Sequence, residues 1–294
     1  MRELRTALEP LTVATPQQPT DGASGRVKDA ARAVVLVIPT LDEAASIGAV
    51  VRSIPRDVVG RIIVADGGSS DDTAACAQRS GAEVLDVGRG YGRACLLAAQ
   101  AATDAEIVVF MDGDGADDVQ AIVSLVDPIR SGVADFVIGS RVRGVREPGS
   151  MSWHQVAAGV LAGLGMKLLY GVRYTDMCAF RAIRRDALLA LGMSEMTYGW
   201  NIEMQMRAAR SGLRVVEIPV PYHRRTGGSS KVAGSLSGTI RAGTRIISTF
   251  FRVATQAAPR PDAKRKHLPP AAQSSGTARP LAAASSDDHR RGIQ

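Results

Sequence analysis

The sequence predicts an α/β fold, in which a mostly parallel sheet is covered by helices on both faces. From about residue 33 onwards, short β-branched runs alternate with segments of helical periodicity. Hydrophobic residues make up 45% of the 294 residues, which is enough for a sizeable core. Alternation of this kind is typical of strands that are connected through helices and therefore run parallel.

Five strands are predicted, each a short, mainly apolar run. They are residues 33–39, 60–66, 82–87, 105–112 and 134–141. The first, AVVLVIP, is rich in β-branched side chains and stops at a proline. Runs with so little polar alternation are expected where both faces of a sheet are buried.

Four helices are predicted between these strands, at residues 42–54, 69–81, 92–102 and 117–132. Asp42 is predicted to cap the first. The second has acidic residues in its first turn and Gly81 after its end. Asp117 and Asp118 are predicted to occupy the first turn of the fourth, where carboxylates favour the helix dipole.

The chain divides into a domain and two polar ends. Residues 1–31 are predicted to be a disordered leader and residues 256–294 a disordered basic tail, because neither can bury enough apolar surface. The tail has seven Lys or Arg against three Asp, so it carries much of the net charge of +7. The folded domain is expected at residues 32–233, followed by an amphipathic helix at 234–255.

Composition excludes several classes of protein. Cys76, Cys95 and Cys178 stand far apart, which argues against a zinc site or a disulfide framework. Aromatic residues are 4% of the chain, and no basic stripe is interleaved with them, so no nucleic-acid partner is expected. The N-terminus shows no signal-peptide pattern, and no apolar run reaches the roughly 20 residues that span a bilayer. A cytoplasmic location is predicted.

Informative side chains follow all five strands. They are Pro39, Leu41 and Glu43 after the first, Asp66 at the second, Arg89 after the third, Asp112 and Asp114 at the fourth, and Arg141 at the fifth. Ligands of parallel α/β sheets bind beyond the carboxyl ends of the strands. These residues are therefore expected to line one cleft.

The ordered fragments resemble the inverting family-two glycosyltransferases of GT-A fold, and within them the dolichyl-phosphate mannosyltransferase-like branch. The fragments are IPTLDE, DGGSSDDT, GRGYGRACLLAA, MDGDG, GSR, YTDMCAFRAIRRDAL and RRTGGSSK. Each is weak alone, but their order over about residues 33–250 is specific. The resemblance implies that the first two hold base and ribose, that MDGDG binds metal and diphosphate, and that the later ones face the acceptor.

The resemblance gives roles to the residues at the strand ends. Nucleotide-sugar binding is implied for Pro39, Leu41, Glu43, Asp66, Arg89, Asp112 and Arg141, and metal binding for Asp112 and Asp114. The chemistry is consistent, since a nucleoside diphosphate leaves only if its charge is neutralised. Mg²⁺ or Mn²⁺ prefers such oxygen ligands. A guanidinium such as that of Arg141 pairs well with phosphate.

Two further carboxylates are candidate catalytic residues, as a base or an orienter of the acceptor. Asp176 lies in the TDMCAFR segment, and a structural role with Arg173 or Arg181 stays open. Glu203 precedes Arg207 by four residues on a helical stretch, so a surface ion pair is an equal alternative.

The acceptor is predicted to be a polyprenyl phosphate, and the resemblance implies that Arg225 and Lys231 of RRTGGSSK bind its phosphate. Such an acceptor is already anionic and needs little help from a base. A small soluble acceptor, such as a phosphorylated acid, is the alternative and would need Asp176 or Glu203 as base. A non-catalytic nucleotide-sugar-binding protein is a third alternative.

The helix at 234–255 is expected to lie in a membrane interface. Its apolar side chains are Leu236, Ile240, Ile246, Ile247, Phe250 and Phe251, with Arg241, Arg245 and Arg252 beside them. The basic tail would add attraction to anionic lipid. We therefore expect peripheral attachment to the inner face of the cell membrane.

Overall fold

Seven strands form one sheet within residues 33–227 and 236–256, the part of the chain that the computed structural model describes. The strands are β1 (Val34–Thr40), β2 (Arg61–Asp66), β3 (Glu83–Asp86), β4 (Ile107–Phe110), β5 (Phe136–Ser140), β6 (Arg181–Arg184) and β7 (Val215–Pro219). The helices are α1 (Ala44–Ser53), α2 (Thr73–Arg79), α3 (Tyr91–Ala101), α4 (Ile122–Arg130), α5 (Trp153–Tyr170), α6 (Arg185–Ala190), α7 (Trp200–Arg210) and α8 (Leu236–Thr255).

The sheet has the order β3-β2-β1-β4-β6-β5-β7 and is mostly parallel. β1 pairs in parallel with β2 and β4, as β2 does with β3 and β5 with β7. β6 is antiparallel to both of its neighbours. The predicted α/β fold with a mostly parallel sheet is confirmed. β6 and β7 extend it beyond the five predicted strands.

The core lies on both faces of this sheet. Residues 34–38 of β1 have no exposed surface, and the strand is apolar along its whole central length because helices cover both sides. Ile47 and Val51 of α1 are buried in the same core, as are Leu125 and Val126 of α4, which packs on β4, β5 and β6. The sheet therefore forms a rigid base for the segments at its carboxyl edge.

Two predicted helix starts are wrong. Asp42 does not cap α1: it has φ +52°, and its carboxylate accepts hydrogen bonds from the backbone N–H and hydroxyl of Ser70. The predicted fourth helix begins instead as a 3₁₀ turn at Val119–Ala121, where Asp118 accepts from the Gln120 N–H. Asp117 lies before this turn and is buried, so it is not a first-turn residue.

α8 packs along the domain instead of lying free on its surface. Ala242, Thr249 and Val253 are buried, and a Cβ at Gly165 of α5 would lie 2.8 Å from Phe250 Cζ. None of the helices in the described ranges is long and apolar enough to cross a membrane. The leader at 1–31 and the tail beyond Gln256 lie outside the described residues, and the domain limits stay a prediction.

Candidate active site

A cavity of about 560 Å³ opens at the carboxyl edge of the sheet. Eight of the residues predicted for the site line it: Pro39, Leu41, Glu43, Arg89, Asp112, Asp114, Arg141 and Arg225. Its lining also includes Tyr91 and Asn201, and α8 contributes Arg241, Ala242 and Ile246. Asp66, Asp176 and Glu203 do not line it. Lys231 lies outside the described residues.

Asp112 and Asp114 project from the turn after β4. Asp114 is 2% exposed, and its Oδ1 accepts a hydrogen bond of 2.9 Å from the Ala116 N–H. Its Oδ2 lies 3.0 Å from Nη2 of Arg225, but the contact does not have hydrogen-bond geometry, so this buried oxygen has no hydrogen-bond partner among the residues that the structure describes. Burial and then the Asp114 carboxylate raise the pKa of Asp112 to about 6.

Asp117 is a third buried carboxylate of this turn. Its Oδ2 accepts from the Asp112 N–H at 3.3 Å, and its backbone pairs with Tyr222. Burial, followed by the Asp112 and Asp114 carboxylates, raises its pKa well above the ordinary range. The short spacing of acidic residues was a signal for this cluster, but helix periodicity assigned Asp117 to the first turn of a helix. It instead holds the turn that carries Asp112.

The donor set of this turn fits Mg²⁺ or Mn²⁺. In the described ranges, no group of three or more His, Cys, Asp or Glu is arranged to hold a metal ion by itself. Two aspartates facing the cavity, one with a buried oxygen that makes no hydrogen bond, suit an ion that also takes oxygens from a substrate diphosphate. Asp112 and Asp114 would hold such an ion.

Arg141 is fixed in the cavity wall by Asp176. Nε and Nη2 of Arg141 each donate a hydrogen bond of 2.8 Å to the two carboxylate oxygens, and the Arg141 N–H adds a third of 3.0 Å. The guanidinium carbon lies 5.0 Å from the ring centroid of Tyr222. This arrangement holds the Arg141 guanidinium beside Asp112 with one face stacked on an aromatic ring.

The prediction of Asp176 as a catalytic base is not supported. Both of its oxygens accept from Arg141, and the residue is 2% exposed. Burial alone would raise its pKa, but the Arg141 hydrogen bonds outweigh that effect and the pKa lies below its ordinary value. Within the described ranges, neither Arg173 nor Arg181 donates a hydrogen bond to Asp176. Asp176 positions Arg141, 35 residues earlier in the chain.

Glu217 of β7 is a positioning residue that the sequence did not reveal. Its Oε1 accepts from the backbone N–H groups of Thr175 and Asp176 at 2.9 and 3.2 Å, and its Oε2 accepts from the Thr175 hydroxyl. The Thr175 hydroxyl also contacts Ser140 at the end of β5. Glu217 therefore fixes the segment that presents Asp176 to Arg141.

Glu203 makes structural contacts, and its position outside the cavity lining gives no support to the predicted catalytic role. It has no exposed surface and accepts from the N–H groups of Ser194 and Glu195, at 3.0 and 2.7 Å. The expected i,i+4 pair with Arg207 is present at 3.0 Å, but it is buried on the glutamate side. Arg252 of α8 also reaches Glu203 at 3.3 Å. These contacts hold α8 and the 194–195 segment together.

Glu195 also holds α8 against the domain. It accepts from Arg245 and Thr249 of α8, each at 3.0 Å, and from the Thr197 N–H. Arg245 and Arg252 were expected to flank a lipid-facing surface, whereas here they fix α8 to the domain. Since Thr197 lines the cavity, α8 and the cavity wall are connected through Glu195.

Glu203→Gln is expected to reduce stability and leave turnover nearly intact. The amide keeps one acceptor but loses the charge that pairs with Arg207 and Arg252, so unfolding should cost about 1–3 kcal/mol less. Urea unfolding and kcat per folded molecule check this, with the exposed Glu106→Gln as control. A loss of kcat beyond a hundredfold in a fully folded variant would restore the catalytic role.

The residues that follow β2 and β3 mainly contact neighbouring groups of the protein. Asp66 Oδ2 accepts from the Ser69 N–H at 3.0 Å, and Thr40 donates to Oδ1 at 3.3 Å. Near Arg89 the backbone of Gly92 lies close to another segment of the protein, since a Cβ at Gly92 would lie 2.2 Å from the Glu195 carbonyl oxygen. Ribose binding by Asp66 therefore remains a prediction, and Arg89 contributes its side chain to the cavity.

The sequence matches the family model of Glycosyl transferase family 2 over residues 35–192. It is 40% identical over 224 residues to an uncharacterized glycosyltransferase of Mycobacterium tuberculosis, covering 75% of this chain and 97% of that protein. It is 30% identical over 224 residues to an undecaprenyl-phosphate mannosyltransferase of Micrococcus luteus, covering 70% of this chain and 89% of the relative.

A solved structure has the same fold. Glucosyl-3-phosphoglycerate synthase of Mycobacterium tuberculosis, in complex with Mn²⁺, UDP and phosphoglyceric acid, superimposes with a TM-score of 0.61. The two are 26% identical, and the match covers 83% of this chain and 86% of that one. The implied GT-A fold is thus confirmed.

Proposed function

This chain belongs to glycosyl transferase family 2 and is a glycosyltransferase, and from that premise we propose that it is a metal-dependent, inverting enzyme that moves a hexose from a UDP- or GDP-linked donor to a polyprenyl phosphate. The non-catalytic alternative is set aside with the family assignment. Structural support for the donor comes from the cavity at the ends of β1, β4 and β5, which collects the strand-end side chains. Mg²⁺ or Mn²⁺ would neutralise the diphosphate that leaves.

The donor would lie across the cavity with its diphosphate at Asp112 and Asp114. Pro39, Leu41 and Glu43 line the wall that would contact base and ribose. Arg141 faces the same space with a guanidinium oriented by Asp176, so it can pair with a phosphate without first losing conformational entropy. Positioning and charge neutralisation would supply most of the rate enhancement.

An anionic acceptor agrees with the state of the two candidate bases. A hydroxyl acceptor loses a proton during transfer and needs a base. Asp176 is bonded to Arg141 through both oxygens, and Glu203 lies outside the cavity. An acceptor phosphate already carries the attacking charge, so it reacts without either carboxylate.

We propose a lipid acceptor because two helices that line the cavity, α5 and α8, also expose apolar faces. On α8, Ile240, Ile247 and Phe251 recur at helical spacing, and Phe251 is 63% exposed. On α5, the exposed apolar residues are Trp153, Val160, Leu161, Leu164, Leu168 and Leu169. Both helices also contribute to the cavity lining, through Gln155 and Ile246. Apolar surface of this extent marks an interaction site, and a polyprenyl chain in a membrane interface would cover it.

The alternative acceptor is a small phosphorylated acid. The glucosyl-3-phosphoglycerate synthase structure, which contains phosphoglyceric acid, favours it. Such a substrate would use the same basic residues, Arg141 and Arg225, but would have no use for the apolar faces of α5 and α8. The two acceptors are therefore distinguished by whether those faces affect activity.

Vesicle binding tests the lipid acceptor. The protein is expected to bind anionic phospholipid vesicles at low salt, and more weakly at high salt. Leu168→Asp and Phe251→Asp should each weaken binding at least tenfold and raise KM for polyprenyl phosphate, with KM for the nucleotide sugar unchanged.

Val133→Asp is the matched control, since Val133 is 62% exposed but lies after α4, away from the cavity lining. Its binding and kinetics should equal those of the unmodified protein. Efficient transfer to 3-phosphoglycerate by a protein that ignores vesicles would replace the lipid acceptor with the soluble one.

A further inference from the structure

The segment that carries Arg225 is attached to the turn that carries Asp114. The His223 N–H donates to the Ala116 carbonyl at 2.8 Å, and the Thr226 N–H donates to the Asp114 carbonyl at 3.0 Å. The Thr226 hydroxyl reaches that same carbonyl at 3.1 Å. Gly115, with φ +77°, permits this approach, because a Cβ there would lie 2.5 Å from Thr226 Oγ1.

The Arg225 side chain takes no part in these hydrogen bonds and makes a separate contact with Asp114. Its Nη2 lies 3.0 Å from Asp114 Oδ2, and the side chain is 35% exposed. The partner oxygen has almost no accessible surface and lacks a hydrogen bond, while Oδ1 is used by the Ala116 N–H. Access to Oδ2 from the cavity is therefore controlled by Arg225, through an ion pair that lacks the directed hydrogen bond of a strong one.

We propose that Arg225 and the divalent cation are alternative partners of Asp114 Oδ2, so that cation binding displaces the guanidinium and makes it available to the acceptor phosphate. This inference rests on the proposed metal site. A cation coordinates a carboxylate oxygen at about 2.1 Å, and a guanidinium nitrogen at 3.0 Å from the same oxygen would place two positive charges in direct repulsion. The repulsion makes the two contacts compete for the same oxygen.

Displacement would not require the whole segment to leave. The hydrogen bonds of His223 and Thr226 involve backbone groups of the turn, which a change of the Arg225 side chain leaves intact. Release of Arg225 would therefore keep its guanidinium near the donor diphosphate, where an acceptor phosphate must arrive. By linkage, an acceptor phosphate that binds Arg225 must in turn favour cation binding at Asp114.

Mn²⁺ binding to the full chain without nucleotide tests this. Titration calorimetry is expected to show at least tenfold tighter Mn²⁺ binding for Arg225→Ala, and unchanged binding for Arg225→Lys, which keeps the charge. Arg224→Ala is the control, since the Arg224 side chain donates to the Pro148 carbonyl and its backbone N–H, which the variant keeps, donates to Glu147. Farnesyl phosphate should tighten Mn²⁺ binding to the unmodified protein and to Arg224→Ala, but not to Arg225→Ala.

The inference is overturned if Mn²⁺ binds the unmodified protein and Arg225→Ala equally tightly. It is also overturned if Arg224→Ala tightens Mn²⁺ binding as much as Arg225→Ala does. Asp114→Asn separates this failure from that of the metal site. If Asp114→Asn abolishes Mn²⁺ binding while Arg225→Ala has no effect, the proposed cation site stands and competition by Arg225 is wrong. If Mn²⁺ binds none of these proteins even when UDP or GDP supplies the diphosphate oxygens, or binds Asp114→Asn as tightly as the unmodified protein, both fail.

Discussion

Asp114→Asn is expected to lower the rate of hexose transfer by about a thousandfold or more. The amide still accepts the Ala116 N–H at the Oδ1 position, so the turn should keep its shape. What it loses is the negative charge that a divalent cation needs beside the donor diphosphate. Initial rates with saturating Mn²⁺ measure the loss, and thermal unfolding should change by only a few degrees.

Asp118→Asn is the matched control in the same loop. Asp118 accepts from the Gln120 N–H at the start of the 3₁₀ turn and does not line the cavity. Its variant should keep activity within a few-fold. Similar activity losses for the two variants, or full activity of Asp114→Asn in EDTA, would contradict the assignment of Asp114 to a cation.

Arg141→Ala is expected to have the largest effect on stability. It removes the partner of Asp176, whose side chain is 3% exposed and would be left as a buried, uncompensated charge. Breaking one side of such a pair costs about 3–5 kcal/mol. Urea unfolding measures this loss, and any folded fraction should have lost transfer activity as well.

A double variant shows how much of the stability loss comes from the buried Asp176 charge and how much from lost packing of Arg141. Arg141→Ala combined with Asp176→Asn removes both charges, so it should recover a large part of the lost stability but none of the activity. If Arg141→Ala costs less than about 1 kcal/mol by itself, the Asp176 pair is not the constraint that orients Arg141.

Much of the fold was accessible from local pattern. β1 to β5 lie within two residues of their predicted bounds, because buried parallel strands leave uninterrupted apolar runs. β6 was missed because Arg181 and Arg184 flank two apolar residues in a four-residue strand, which has too little periodicity to identify. Arg181 is fully buried, with its guanidinium bonded to the Cys178 carbonyl, a condition that no local pattern shows.

The site was predicted best where its residues follow strands. One cavity at the carboxyl edge of the sheet is lined by Glu43, Asp112 and Arg141, which follow three different strands, as parallel topology requires. Pairing between distant segments could not be foreseen. Asp176 bonds Arg141 instead of a nearby arginine, and Glu203 pairs with Arg252 of α8, 49 residues away. These contacts depend on the packing of β7, α7 and α8, so the sequence left both carboxylates as candidate bases.

Nucleoside diphosphate release tests the proposed transfer most directly. The purified full chain would be incubated with Mn²⁺ and a panel of UDP- and GDP-hexoses, with and without polyprenyl phosphate in anionic vesicles. We expect one donor to release its nucleoside diphosphate rapidly when the lipid phosphate and the metal are both present, with EDTA abolishing release. Release that is unaffected by EDTA, or that requires 3-phosphoglycerate and ignores the lipid phosphate, would contradict the proposed metal-dependent transfer to a polyprenyl phosphate.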